Sequence, residues 1–100
     1  MNTQNLLSEE LQSKLTDEEI QLFDNLQIFN YSEIIENPFT NEQVELVPEA
    51  VALYDFIIGA EMAANLTPIP SFSIELGIKS SFAKTMFYKL WPKEYMKLLD

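Results

Sequence analysis

The chain has 100 residues, 47% of them hydrophobic, a net charge of −10, and no cysteine, histidine or arginine. This length is enough for one domain with a single core, and the hydrophobic content predicts that it folds. The missing side chains exclude thiolate and imidazole metal ligands, the commonest general base, and bidentate phosphate clamps. We therefore expect no metal, no cofactor and no enzymatic activity.

The charges are unevenly distributed along the chain. Residues 1–78, the acidic body, carry 14 carboxylates against Lys14 alone, a net charge of −13, whereas residues 79–100, the basic C-terminal segment, carry a net charge of +3. Such a field repels nucleic acid and anionic membranes. It favours a partner protein with a basic surface, or the basic end of a second copy.

The first predicted elements are helices. Leu7, Leu11 and Leu15 form a short apolar stripe that Ser8 could cap. Residues 16–19 read Thr-Asp-Glu-Glu, a capping box that predicts a helix ending near residues 25–27. Its apolar residues are expected to be buried: Ile20, Leu22, Phe23 and Leu26.

The pattern changes between Tyr31 and Val47. Two short apolar runs, at residues 34–35 and 44–47, flank a polar stretch that contains Asn37 and Pro38. This arrangement predicts a small β-hairpin with a long loop. Because two strands are not stable alone, the hairpin should lie against helices.

Pro48 suits a first helical position, and a helix is predicted from there to about Ala64. One helical face is expected to point inward and carries Leu53, Phe56, Ile57, Ala60, Ala63 and Ala64. A second apolar stripe consists of Val51, Ile58 and Met62. It indicates either a helix that is central to its domain or a surface that meets another subunit. A mid-helix glycine, Gly59, suggests close backbone packing.

Residues 67–70, Thr-Pro-Ile-Pro, end that helix. The last helical region is predicted from about Ser73 to Trp91, with Gly77 as one place where it could break. Its inward residues are expected to be Phe82, Met86, Phe87 and Leu90. After Pro92, a final turn can dock on the body through Tyr95, Met96, Leu98 and Leu99. Together these elements predict a single, mainly α domain of four to five short helices with one small β-hairpin packed against them.

One catalytic pattern occurs, Ser81 and Lys84 in an S-x-x-K spacing. The companion motifs of serine acyltransferases are absent, so this pattern is typical of a solvated helix face. Without cysteine, histidine and arginine, catalysis by carboxylates alone, as in glycoside hydrolysis, remains open. The acids are dispersed along the chain, however, and no pair of them is marked by apolar neighbours.

Two groups of residues are candidates for binding. The first is a set of acids expected on the surface: Asp17, Glu18, Asp24, Glu33, Glu36, Glu42 and Glu45. The second is the one place where aromatic side chains meet positive charge: Lys84, Tyr88 and Trp91, with Tyr95 nearby. Trp91 could anchor an interface, but we favour its capping the core where the helix turns at Pro92.

Two segments resemble small uncharacterised proteins of tailed bacteriophages. They are residues 37–59, with Asn-Pro-Phe-Thr at their start, and residues 91–100, Trp-Pro-Lys-Glu-Tyr-Met-Lys-Leu-Leu-Asp. The resemblance implies a viral accessory protein made in a bacterial cytoplasm, but no particular fold or activity.

Two functional hypotheses follow. The first is a small acidic protein that binds, and could inhibit, a basic surface of a host protein, with nucleic-acid mimicry as one form of such binding. The second is a self-assembling, scaffold-like component in which acidic body meets basic end. The N-terminus lacks the basic start and apolar run of a signal peptide, so a cytoplasmic location is expected.

Overall fold

The computed structural model describes residues 9–99, in which five helices and a two-stranded antiparallel sheet follow one another. The helices are α1 (Glu9–Gln12), α2 (Asp17–Asp24), α3 (Pro48–Leu66), α4 (Pro70–Leu90) and α5 (Pro92–Leu98), and the strands are β1 (Glu33–Glu36) and β2 (Gln43–Leu46). The predicted mainly α fold with one hairpin is confirmed. The predicted stripe before Leu11, with Leu7 and its cap Ser8, lies outside the described residues.

The capping box of α2 forms as predicted. The Thr16 hydroxyl accepts a hydrogen bond from the Glu19 N–H at 3.2 Å, and the Glu19 carboxylate accepts one from the Thr16 N–H at 2.8 Å. The helix ends at Asp24 with Asn25 as its C-cap, at the start of the predicted range. Of the four apolar side chains predicted to be buried, Phe23 is fully buried, Leu22 and Leu26 pack partly buried against the core, and Ile20 is half-buried.

The hairpin is confirmed, with Ile35 opposite Val44 and Glu33 opposite Leu46. Val44 and Leu46 of β2 are buried and belong to the same core cluster as residues of α3 and α4. β2 also packs on α5. The sheet therefore lies against helices, as its small size requires.

α3 and α4 are the two long helices, with 19 and 21 residues, and they form the most extensive interface among the described elements. They run antiparallel, since the Ser73 hydroxyl donates to the Ala64 carbonyl at 3.0 Å and Ser80 lies beside Glu61. The core draws on α2, β2, α3 and α4 and consists of Phe23, Val44, Leu46, Ala50, Val51, Leu53, Ile57, Ala83, Met86, Phe87 and Leu90.

Prolines begin the last three helices. Pro48, Pro70 and Pro92 each occupy the first turn, preceded by a residue whose side chain makes no capping hydrogen bond. The fixed backbone angle of proline suits this position, where its missing N–H costs nothing. α4 thus begins three residues before the predicted Ser73.

Several expectations about α3 and α4 were wrong. Of the second stripe, Val51 is buried in the core and Met62 is exposed, so the stripe is not one surface for another subunit; the burial of Val51 agrees with the alternative of a central helix. Gly59 is exposed, and an added Cβ would meet nothing within 4 Å, so no close packing requires it. α4 also runs through Gly77 without a break.

Three residues predicted to pack inward are exposed. Ala63 faces solvent near the end of α3, and Phe82 is 39% exposed because it lines an open cleft beside Leu22 and Phe56. In α5, Met96 is exposed, whereas Tyr95, Leu98 and Leu99 do pack against the core.

Candidate interaction surface on the β-hairpin

The hairpin presents one face to the core and one to solvent. Side chains alternate across a strand, so Ile35, Val44 and Leu46 face the helices. The residues of the outer face are Ile34, Glu36, Gln43 and Glu45. All four of these outer side chains are exposed, which makes this face available to a partner.

Four of the predicted acids lie on this hairpin. Glu33, Glu36 and Glu45 are strand residues, and Glu42 lies in the loop that joins the strands. All four are exposed, and no lysine of residues 9–99 forms an ion pair with any of them. Glu36 is held only by a hydrogen bond from the Gln43 amide at 3.3 Å. The hairpin therefore concentrates negative charge that its own molecule does not neutralise.

The loop of the hairpin is ordered by Asn37. Its buried side chain accepts hydrogen bonds from the N–H groups of Phe39 (2.7 Å) and Thr40 (3.3 Å), and donates one to the Lys97 carbonyl at 2.6 Å. Asn41 adopts a left-handed conformation (φ 64°) that asparagine tolerates well. The loop is thus tied internally and to the last helix.

Replacing Asn37 with alanine is expected to lower the free energy of unfolding by about 2 kcal/mol, because three hydrogen bonds are lost. Urea denaturation at neutral pH measures the change. Asn65→Ala, at an exposed asparagine of α3, is the matched control and should change stability by less than about 0.5 kcal/mol. Equal stability of the two variants would show that the side-chain hydrogen bonds of Asn37 do not stabilise the folded state.

The remaining predicted acids form a separate group. Asp17 and Glu18 lie in the first turn of α2, where they suit the helix dipole, and Asp24 is the last residue of that helix. All three are exposed, but no extensive contact joins α2 to the hairpin. The structure therefore does not unite the seven acids on one element.

The predicted aromatic and basic group divides in two. Lys84 and Tyr88 line a shallow groove of about 470 Å³ together with Tyr95, which meets Tyr88 edge to face at 5.3 Å. Trp91 does not line this groove. It packs against Phe87 of the core, with ring centroids 5.4 Å apart. The position of Trp91 favours a structural role.

The residues considered for catalysis have structural partners. Lys84 is ion-paired with Glu61, whose carboxylate also accepts a hydrogen bond from Ser80 at 3.3 Å, so the lysine of the S-x-x-K spacing contacts a carboxylate of α3. Burial raises the pKa of the Asp55 carboxyl, which lines a cleft of about 290 Å³ beside residues 26–31. Among residues 9–99, no second carboxylate lines that cleft.

Within residues 9–99, no group of three or more acidic side chains could hold a metal ion, and no helix is long and apolar enough to cross a membrane. Comparison with known proteins finds no matching family, no similar curated protein and no similar solved structure.

Two features of the structure were not predicted from the sequence. Phe39 is 93% exposed at the tip of the hairpin loop, and Lys89 is the partner of the buried Glu19. The turn signal of Asn37 and Pro38 could have placed Phe39 on a loop, but nothing local in the sequence indicates the partner of Glu19.

Proposed function

We propose that this chain is a non-enzymatic binding protein that engages a basic surface of another protein through its β-hairpin. The proposal rests on the four exposed hairpin carboxylates, which have no cationic partner in the described part of the chain. Uncompensated charge on an exposed face accelerates association with an oppositely charged surface and selects against acidic partners.

The proposed setting is a bacterial cell, with a host protein as the partner. The support for it is the resemblance of residues 37–59 and 91–100 to proteins of tailed bacteriophages. Where the basic surface is itself a nucleic-acid site, occupation by the hairpin would block it. Because Asp17, Glu18 and Asp24 lie apart from the hairpin, such mimicry would involve the hairpin alone.

Neutralising three of the four hairpin carboxylates is expected to abolish capture of the partner. The variant Glu36→Gln, Glu42→Gln, Glu45→Gln changes the net charge from −10 to −7. In pull-downs from bacterial lysate at low salt, it should lose a protein that the wild type retains. At about 1 M salt, where the Debye length is about 3 Å, the wild type should lose that protein too.

The control carries the same charge change elsewhere. Glu9→Gln, Glu10→Gln, Glu18→Gln also has a net charge of −7 but alters exposed residues of α1 and α2. It should retain the partner. Equal loss of the partner in both triple variants would indicate a general effect of net charge. The proposal would be refuted if the wild type and both variants all failed to capture a salt-sensitive partner.

A second candidate function is self-assembly into a structural component. The observation that favours it is an exposed apolar stripe on α4, formed by Ile74, Ile78 and Phe82 at four-residue spacing. Such a stripe lies on one side of a helix and is typical of a surface that another chain covers. It replaces the stripe that the sequence placed on α3.

A further inference from the structure

Phe39 is the most exposed of the large hydrophobic side chains in the described chain, at 93%. It stands on a loop whose backbone is fixed by Asn37 and by the bond from the Asn41 N–H to the Asn37 carbonyl at 2.8 Å. A rigid aromatic residue loses little conformational entropy when it binds, so it makes an efficient anchor. Glu36 and Glu42 flank this loop on either side.

A cleft with complementary properties lies elsewhere on the same chain, between the end of α2, the middle of α3 and α4. Its volume is about 380 Å³, within the range of ligand pockets (roughly 300–1,000 Å³). Its lining residues are Leu22, Asn25, Phe56, Ile78, Lys79 and Phe82. Four of the six are apolar, and the exposed stripe of α4 continues the apolar surface to Ile74.

Lys79 gives this cleft a positive rim. It is the first residue of the basic C-terminal segment. Its ion pair with Glu75, at 3.5 Å, joins two side chains that are more than half exposed. Such surface ion pairs contribute little to the stability of the fold. Lys79 can therefore turn to a carboxylate of another molecule at small cost.

We propose that Phe39 of one copy inserts into this cleft of a second copy, with Lys79 at the rim facing the carboxylates of the incoming hairpin. The inference rests on the second candidate function and names its contact. An aromatic ring flanked by acids meets an apolar cleft bordered by a cation, so both the apolar surface and the charges are matched.

The contact joins two molecules and not two parts of one. The hairpin packs on α3 and α5 of its own chain, and Phe39 at its tip remains almost fully exposed. The cleft therefore stays open to a tip from outside. If each copy both gives and receives a tip, the product is a closed dimer; if the exchange is one-way, it is an open chain.

Sedimentation velocity over a series of protein concentrations tests this contact. The wild type should associate, and Phe39→Ala and Ile78→Asp should each raise the dissociation constant by at least roughly thirtyfold, the effect of removing an interface hot spot. Ile78→Ala provides a second cleft variant without an added charge. Met96→Ala removes another exposed apolar side chain, on α5, and should associate like the wild type.

Mixing the two deficient variants gives a decisive result. Phe39→Ala retains an intact cleft, and Ile78→Asp retains an intact tip. An equimolar mixture should therefore form a heterodimer through the one remaining contact, and growth should stop there. Added salt should weaken the wild-type association because charges at the rim contribute to it. Circular dichroism should show the same helix content in every variant.

Three outcomes would overturn the proposal. They are a monomeric wild type at all concentrations, unchanged association of either Phe39→Ala or both cleft variants, and a mixture that remains monomeric. None of these bears on the hairpin carboxylates, which all the variants retain. A monomeric chain that still captures a basic partner from lysate would leave the proposed binding function standing.

Discussion

Replacing Lys89 with methionine is expected to lower the free energy of unfolding by about 3 kcal/mol at neutral pH. Glu19 is almost completely buried, and both of its carboxylate oxygens contact the Lys89 ammonium, at 3.0 and 2.9 Å. Methionine keeps the length and apolar stem of the side chain but removes the charge. The variant therefore leaves a buried carboxylate whose remaining partners are the N–H and the hydroxyl of Thr16.

The loss should depend on pH in a defined direction. Burial alone would raise the pKa of Glu19, but the hydrogen bond from Thr16 and the Lys89 ammonium outweigh it, so the pKa lies below its ordinary 4.5. The wild type is therefore stabilised by this carboxylate above about pH 4.5 and loses that contribution as the pH falls through the folded pKa. Without Lys89 the pKa should rise, so the two proteins should converge in stability on acidification.

Urea denaturation at neutral pH and at successively lower pH measures both effects. The control is Lys93→Met, which removes an exposed lysine of α5 and should change stability by less than about 0.5 kcal/mol. A loss for Lys89→Met that is the same at every pH would contradict the role assigned to the ion pair.

Replacing Trp91 with alanine is expected to cost about 3 kcal/mol, the usual loss when a large aromatic side chain is removed from a packed site. The indole packs on Phe87, and the Trp91 backbone joins α4 to α5 through bonds to the Phe87 carbonyl (2.7 Å) and from the Tyr95 N–H (2.9 Å). The cavity would lie where these two helices meet.

Thermal and urea denaturation check this expectation, with Tyr88→Ala as the control at an exposed aromatic in the last turn of α4. Self-association of the folded Trp91→Ala variant should match that of the wild type. A variant with nearly unchanged stability but no association would instead make Trp91 an interface anchor.

The features that the sequence predicted correctly depend on neighbouring residues. The capping box from Thr16 to Glu19 and the prolines at Pro48 and Pro92 act within one helical turn, so their pattern is sufficient. The alternation in residues 43–46 is likewise a local signal for a half-buried strand.

The features that it missed depend on distant residues. Glu19 and Lys89 are 70 positions apart, and Asn37 meets the carbonyl of Lys97 across 60 positions. The stripe of Val51, Ile58 and Met62 left two interpretations open, because helical periodicity does not reveal which other segments cover a helix. Four of the seven candidate acids share the hairpin, but neither their separation from α2 nor the exposure of Phe39 follows from spacing.

The separation of these contacts along the chain also bears on the order in which the molecule assembles. α3 and α4 are joined by only three residues, so bringing them together costs little loop-closure entropy. We therefore expect these two helices to pack against each other early in folding. The contacts of Glu19 with Lys89 and of Asn37 with Lys97 close much longer loops and should form late. Stopped-flow kinetics of the Lys89→Met and Asn37→Ala variants should then show faster unfolding with nearly unchanged folding rates. The polar contacts that tie α2 and the hairpin loop to the basic end of the chain would thus determine how long the native state lasts, and not how quickly it is reached.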